Sequence, residues 1–230
     1  MNCDELTKLF NIGRPILNDN DFPYLHLAYK YKLNNYRLIS SGEIIIKGRE
    51  LNIPDYIIQF VLYNNEVLMI ASIISGKVIN ITFRTIKGEK EFMKVGNTKG
   101  TFYGLGDLSP DFRYGNPIIL VEGHLDRDVM SCMFYKNTLA IMTNQLSKMQ
   151  TKLLEGLTNN IILMLDNDKS GRDGTRFIKY QLKGFKINEI MHSIYLKDAG
   201  DLLKLEMKNK SEFRDTVDYY NNQLDLFLER

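Results

Sequence analysis

The sequence predicts an α/β protein: a parallel-sheet lobe in the C-terminal half, preceded by a smaller α+β lobe. Three observations carry that reading. From residue 118 onward, short apolar runs alternate with helical stretches, as they do where crossover helices cover both faces of a parallel sheet. Before them lie three runs rich in β-branched residues, separated by "NN" and "SGK", the punctuation of antiparallel hairpins. Between the two patterns, "LSPDFRYGNP" (108–117) fits neither.

Taken in order, "FPYLHLAYKYKL" (22–33) reads as an amphipathic helix after the turn-rich "NDND". The segments "EIIIKG", "EVLMIASII" and "KVINITFRTI" read as strands of a small antiparallel sheet. In the second half, "IILVE" (118–122) leads into a helix ending near Tyr135, and "TLAIM" (138–142) leads into "QLSKMQTKLLEGL". "IILMLD" (161–166) leads into "SGRDGTRFIKYQL", and "HSIYL" (192–196) into "GDLLKLEM". The expected division is a lobe over 1–116, a parallel-sheet domain over 117–205 and a helix or tail over 206–230.

Composition narrows the function classes. A hydrophobic fraction of 44% and a charged fraction of 25% over 230 residues are those of an ordinary globular chain with room for two lobes. No apolar run approaches the roughly 20 residues of a membrane span, and "MNCDELTKLF" has no signal-peptide character, so a cytoplasmic protein is expected. The only cysteines, Cys3 and Cys132, make no CxxC pair, which excludes a zinc ribbon or a disulfide framework. Net charge is +2; residues 1–116 carry 14 basic and 12 acidic groups, and residues 117–230 carry 16 of each. Contact with nucleic acid would therefore rest on a local patch.

The chemistry concentrates in "IILMLDNDKSGRDG" (161–174), where Asp166 and Asp168 follow a buried-type strand. Three chemistries use that spacing. A calcium loop matches at Asp166, Asp168, Ser170 and Gly171, but its twelfth position must be a bidentate glutamate and is Phe177. An aspartate-dependent phosphatase needs the pair after its first strand; here it follows the third of its domain, with Ser170 two residues on. A magnesium site gains from "VEGHLDRD" (121–128), a second strand ending in a carboxylate, Glu122, with Asp126 one helical turn further. Asp198 and Asp201 follow the last predicted strand, so separate strands deliver acids to the rim where open α/β sheets bind ligands. Clustered carboxylates repel unless a cation neutralises them.

A Glu-Gly after one strand, an Asp-x-Asp after a later one and a "GR" behind it resemble the Toprim domain of bacterial-type primases, topoisomerases and some nucleases. Upstream, "GKVINITFR" (76–84) and "KEFMKVGNTKGTFYGL" (90–105) resemble the small lobe that precedes Toprim in phage and bacterial (DnaG-type) primases, with Lys90, Phe92, Gly96, Lys99 and Tyr103-Gly104 in the matching places. The resemblance runs from about residue 60 to 205 and implies a primase core that makes short RNA primers on single-stranded DNA from ribonucleoside triphosphates. It implies Mg²⁺ or Mn²⁺ on Glu122, Asp166 and Asp168, with Asp126, Asp198 and Asp201 supporting and Glu122 alternatively a general base. Arg84, Lys90, Lys99 and Arg172 would meet nucleotide or template. The chain departs from the family in lacking zinc-ribbon cysteines and a GxxxxGK[ST] helicase motif, and in carrying Glu66 where the family often has arginine. A separate zinc-bearing subunit or a replicative helicase is therefore an expected partner, and a phage or mobile-element source fits. The same acids would serve a Toprim nuclease, and a non-catalytic replisome protein is the third reading.

The final "QLDLF" resembles the peptide by which bacterial replication proteins bind the sliding clamp, with Gln223, Leu224, Asp225, Leu226 and Phe227 in the motif. The other reading of the same residues is an amphipathic helix docking Tyr219, Leu224 and Phe227 on the chain's own core.

Overall fold

The computed structural model describes residues 1–18, 22–48, 50–97, 99–193 and 196–228, and the chain divides into two compact units, Met1–Thr98 and Lys99–Arg230. The first unit runs α1 (Cys3–Ile12), β1 (Arg14–Pro15), α2 (Pro23–Lys30), β2 (Tyr36–Ser40), α3 (Ser41–Gly48), α4 (Asp55–Asn64), β3 (Glu66–Ile74), β4 (Lys77–Thr85) and β5 (Phe92–Gly96). Among the described residues its strands form one sheet in the order β1-β2-β3-β4-β5, antiparallel throughout. Helix α1 starts because Asn2 accepts the Glu5 N–H while Glu5 reaches back to the Asn2 N–H, which satisfies two otherwise orphaned donors. It buries Leu6, Leu9 and Phe10 in a core shared with Ile44, Ile57, Val67, Met69, Ile81 and Phe83.

The segment "EIIIKG", expected as a strand, lies in helix α3. A capping arrangement overrides its β-branched run: the Glu43 carboxylate accepts from both the N–H and the hydroxyl of Ser40, at 2.7 and 2.8 Å. Ile44 and Gly48 then face inward, one turn apart, while Ile45 and Ile46 stay exposed. Glu66, in the place where an arginine was expected, is ion-paired with Arg14.

The second unit runs β6 (Ile118–Val121), α5 (His124–Met133), β7 (Thr138–Ala140), α6 (Lys148–Leu157), β8 (Asn160–Leu163), α7 (Lys169–Gln181), β9 (Lys186–Glu189), α8 (Asp201–Lys208) and α9 (Lys210–Leu228). Its sheet is parallel, in the order β7-β6-β8-β9. The strands read as unbroken apolar runs because helices cover both faces; Ile118, Leu120, Leu139, Ile161 and Leu163 share a core with Leu154, Ile178 and Leu182. This unit begins earlier than residue 117, because Phe102 is in that core and Tyr103 pairs with Ala140 as an antiparallel bridge.

Two expectations need correction here. Among the described residues the fourth strand is Lys186–Glu189, which the sequence reading did not place; among those residues it pairs on one side, with β8, and an edge strand of this kind can be polar enough to escape a search for apolar runs. His192 and Ser193 lie in no strand, and 194–195 fall outside the described residues. The "QLDLF" motif is not an extended tail but part of the 19-residue α9, with Leu224 fully buried and Leu226 72% exposed, so the anchors of a clamp peptide are not presented together. The core-docking reading is the observed one, with Tyr220 rather than Tyr219 as the buried ring. No helix of the described residues is long and apolar enough to cross a membrane.

Candidate active site

The chain enters the parallel sheet at β6, adds β7 on one side and then returns to add β8 on the other. Neighbouring connections therefore diverge between β6 and β8, opening the crevice where such sheets bind ligands. Glu122 follows β6 directly, and Asp166 and Asp168 follow β8.

Each acid is held differently. Asp168 is the N-cap of α7: its carboxylate accepts the Gly171 N–H at 2.9 Å. That hydrogen bond, with the Lys197 ammonium at 3.0 Å, keeps it below the usual carboxylate range. Asp166 is pushed up to about 6 by burial and by the Asp198 carboxylate, against the pull of Lys197 at 3.6 Å. Glu122 is pushed up to about 7 by burial first and then by repulsion from Asp166 and Asp168. Its Oε2 is buried without a hydrogen-bond partner. Asp198 is likewise raised by burial and by the Asp201 charge.

Asp126 does not present a free carboxylate beside Glu122. It is raised to about 7 by burial, and its two oxygens accept the N–H groups of Gly123 at 3.1 Å and Gly200 at 2.8 Å. It staples the start of α5 to the segment before α8. Asp201 accepts from the Lys197 N–H at 3.1 Å and pairs with Lys204 at 2.6 Å, so it orders the same segment. Arg172 donates to the Asn167 carbonyl at 3.3 Å, bracing the Asp-x-Asp loop, while Asp173 pairs with Arg176. His124 is buried edge-on to Tyr103 with ring centroids 4.6 Å apart, a scaffold contact. Lys99, in this unit, offers its backbone carbonyl to the Ser147 hydroxyl.

Arg84 and Lys90 belong to the first unit. The Arg84 guanidinium is ringed by Tyr24, Phe22 and Phe92 at 4.2, 5.2 and 5.1 Å from the ring centroids, and donates to the Tyr24 hydroxyl at 2.6 Å. Lys90 lies 5.2 Å over the Phe92 ring.

The site tolerates little displacement behind Asp166. A Cβ on Gly171 would lie 2.0 Å from the Asp166 carbonyl oxygen and 2.8 Å from its carbon, so only glycine lets α7 approach the loop. Gly171→Ala is expected to lower stability by about 1–3 kcal/mol through overpacking, read as a lower urea midpoint.

Two residues that the sequence did not point to complete the site. Lys197 bridges Asp166 and Asp168. His192 is buried, with Nδ1 2.7 Å from the Tyr220 hydroxyl. Neither has a local signal, since each is brought to β8 by a crossover. Burial pushes the His192 pKa down to about 4, opposed by the Asp201 charge. The folded state thus refuses a proton that the unfolded chain accepts near pH 6.5. The contribution of a neutral His192 is intact above about pH 6.5 and is lost as pH falls towards 4. Compared with His192→Gln, the wild type should lose up to about 3 kcal/mol of relative stability over that window, measured by urea denaturation at pH 7, 5.5 and 4.

An all-oxygen donor set of acids that resist joint ionisation, one with an orphaned buried oxygen, suits a hard divalent cation. Among the described residues no three potential ligands are drawn into a ready-made cage; the Lys197 ammonium is instead the cation lying between Asp166 and Asp168. The residue types fit Mg²⁺ or Mn²⁺ if Lys197, 55% exposed, withdraws.

Comparison with known proteins agrees with this architecture. Residues 119–203 match the Toprim-like family. A curated DNA primase of Clostridium acetobutylicum is 27% identical over 174 residues, covering 73% of this chain and 25% of that protein; the chain thus matches about a quarter of its relative's length. The solved DnaG catalytic core superposes with a TM-score of 0.66 at 16% identity, over 94% of this chain and 79% of that one. A DnaG primase catalytic domain bound to single-stranded DNA gives 0.61 at 15%, over 94% and 77%.

Proposed function

We propose that the chain, whose residues 119–203 match the Toprim-like family and whose fold is that of the bacterial-type primase catalytic core, joins ribonucleotides on single-stranded DNA. The reaction is nucleotidyl transfer, in which a 3′-hydroxyl attacks an α-phosphate and pyrophosphate leaves. The observation that carries the proposal is that Glu122, Asp166 and Asp168 follow the two strands flanking the β6/β8 crevice and repel one another there, with Glu122 Oε2 buried and unpartnered.

Glu122, Asp166 and Asp168 would hold the Mg²⁺ or Mn²⁺, which, when bound, lowers the charge barrier by neutralising phosphate oxygens. Asp126 keeps the two loops that carry Glu122 and Asp198 in register. Lys197, long and half exposed, can leave the acids for an incoming triphosphate, to which an ammonium is suited. In the first unit, the charge of Arg84 is fixed by its aromatic ring contacts, and cations interleaved with aromatic side chains suit the backbone and bases of a single strand. Lys90 of the first unit and Lys99 of the second are each proposed to meet nucleotide or template phosphates.

The test is one gel: full-length protein, labelled single-stranded DNA, ribonucleoside triphosphates and Mg²⁺ or Mn²⁺. A ladder of short ribonucleotide products supports the proposal. Shortened DNA identifies a Toprim nuclease instead, and neither product rules out the enzymatic reading.

A further inference from the structure

The Asp-x-Asp loop is backed from behind by a buried polar chain that starts on the last helix. Tyr220 of α9 is fully buried, and its hydroxyl lies 2.7 Å from Nδ1 of His192. The His192 ring lies against the Asp-x-Asp loop, lining one small cleft together with Leu165 and Asp166, and the Leu165 backbone is within its electrostatic reach. A neutral imidazole suits both neighbours when one nitrogen carries its N–H towards the Leu165 carbonyl and the other accepts the Tyr220 O–H. Phe134, the residue that caps the C-terminal end of α5, meets the Tyr220 ring edge-on at 5.4 Å. Gly171 packs closely on one side of the Asp166 backbone, and on the other side lies the same small cleft of about 20 Å³, lined in part by Leu165, Asp166, Thr175 and His192. A cleft of that size holds at most one water. On that side the loop is backed by polar groups and not by close packing.

We propose that Tyr220 and His192 are positioning residues for the metal-binding loop, through which α9 sets the aim of the Asp166 carboxylate. This rests on the metal reading above and extends it to residues 54 and 26 positions further along the chain. Neither side chain touches substrate. Outer partners of this kind commonly change metal affinity by about 10–100-fold when removed.

The test measures Mn²⁺ binding to the full chain by electron paramagnetic resonance, without nucleotide or DNA. Tyr220→Phe deletes one oxygen and keeps the ring, and should weaken Mn²⁺ binding about tenfold or more. His192→Phe should do the same, while His192→Gln, which can donate and accept, should recover part of the affinity. The matched control is Tyr219→Phe, which removes a 3.0 Å bond from α9 to the Met191 carbonyl without involving the Leu165 contact. It should leave Mn²⁺ binding unchanged. If Tyr220→Phe binds Mn²⁺ as the wild type does, or if Tyr219→Phe weakens it equally, the positioning role is overturned. If the wild type binds no Mn²⁺ and Asp166→Ala behaves identically, the metal reading fails first.

Discussion

Replacing Asp166 and Asp168 together by alanine is expected to abolish the ribonucleotide ladder, with a loss of at least about a thousandfold, or roughly 4 kcal/mol of transition-state stabilisation. The fold should survive, and the direction of its change makes the prediction sharp. Asp166 is held up near 6 by burial and by the charge of Asp198, and it helps to raise Glu122 to about 7. Deleting these two carboxylates relieves repulsion that the folded protein bears at neutral pH, although it also strips Lys197 of two partners. Thermal unfolding at pH 7.5 without divalent ions should therefore give an unchanged or higher midpoint for Asp166→Ala alone and a lower one once Asp168, the N-cap of α7, is also replaced, while added Mg²⁺ should raise the midpoint of the wild type only. An unchanged ladder in the variant would remove these acids from the reaction.

The second large effect is on stability. Asp128 is completely buried and accepts from Arg127 at 2.7 Å and from the Tyr103 hydroxyl at 2.6 Å. Arg127, itself 4% exposed, also donates to the Thr138 carbonyl at 3.1 Å and pairs with Asp107 at 3.2 Å. Asp128→Ala leaves the buried Arg127 charge with only the half-exposed Asp107 beside it and the buried Tyr103 hydroxyl without its acceptor, so it should cost about 3–5 kcal/mol. Replacing both charges, as in Arg127→Met/Asp128→Leu, should recover much of that loss, since an apolar pair spares both desolvation penalties. Urea denaturation of the two variants decides the matter: equal midpoints would mean that the charge pairing contributes nothing.

What the sequence disclosed follows from how the two sheets are buried. The parallel strands are covered on both faces, so β6, β7 and β8 stand out as apolar runs, and the abrupt polarity at Glu122 and Asp166 marks their carboxyl ends. The antiparallel β3 and β4 are equally legible from β-branched residues flanking a two-residue turn. Where a local signal and a composition signal compete, composition misleads: Ser40 and Glu43 announce a helix that the three isoleucines after them disguise. Polar β9 was hidden because an edge strand has little to bury. Lys197, His192 and Tyr220 were illegible for another reason. Their roles depend on distances set by crossovers and by the docking of α9, and nothing within ten residues of each records them.

The bond between Asp126 and the Gly200 N–H spans 74 positions of the chain. Parallel strands cannot pair until the intervening crossover has formed, so contacts of this separation close late and slowly. A nascent chain folded only as far as β8 would have Glu122 and the Asp-x-Asp pair but no anchor for Asp126, no Lys197 and no Tyr220 behind Leu165. During synthesis the acids therefore acquire their final spacing only when the last third of the second unit has left the ribosome and folded against the first strands of its sheet.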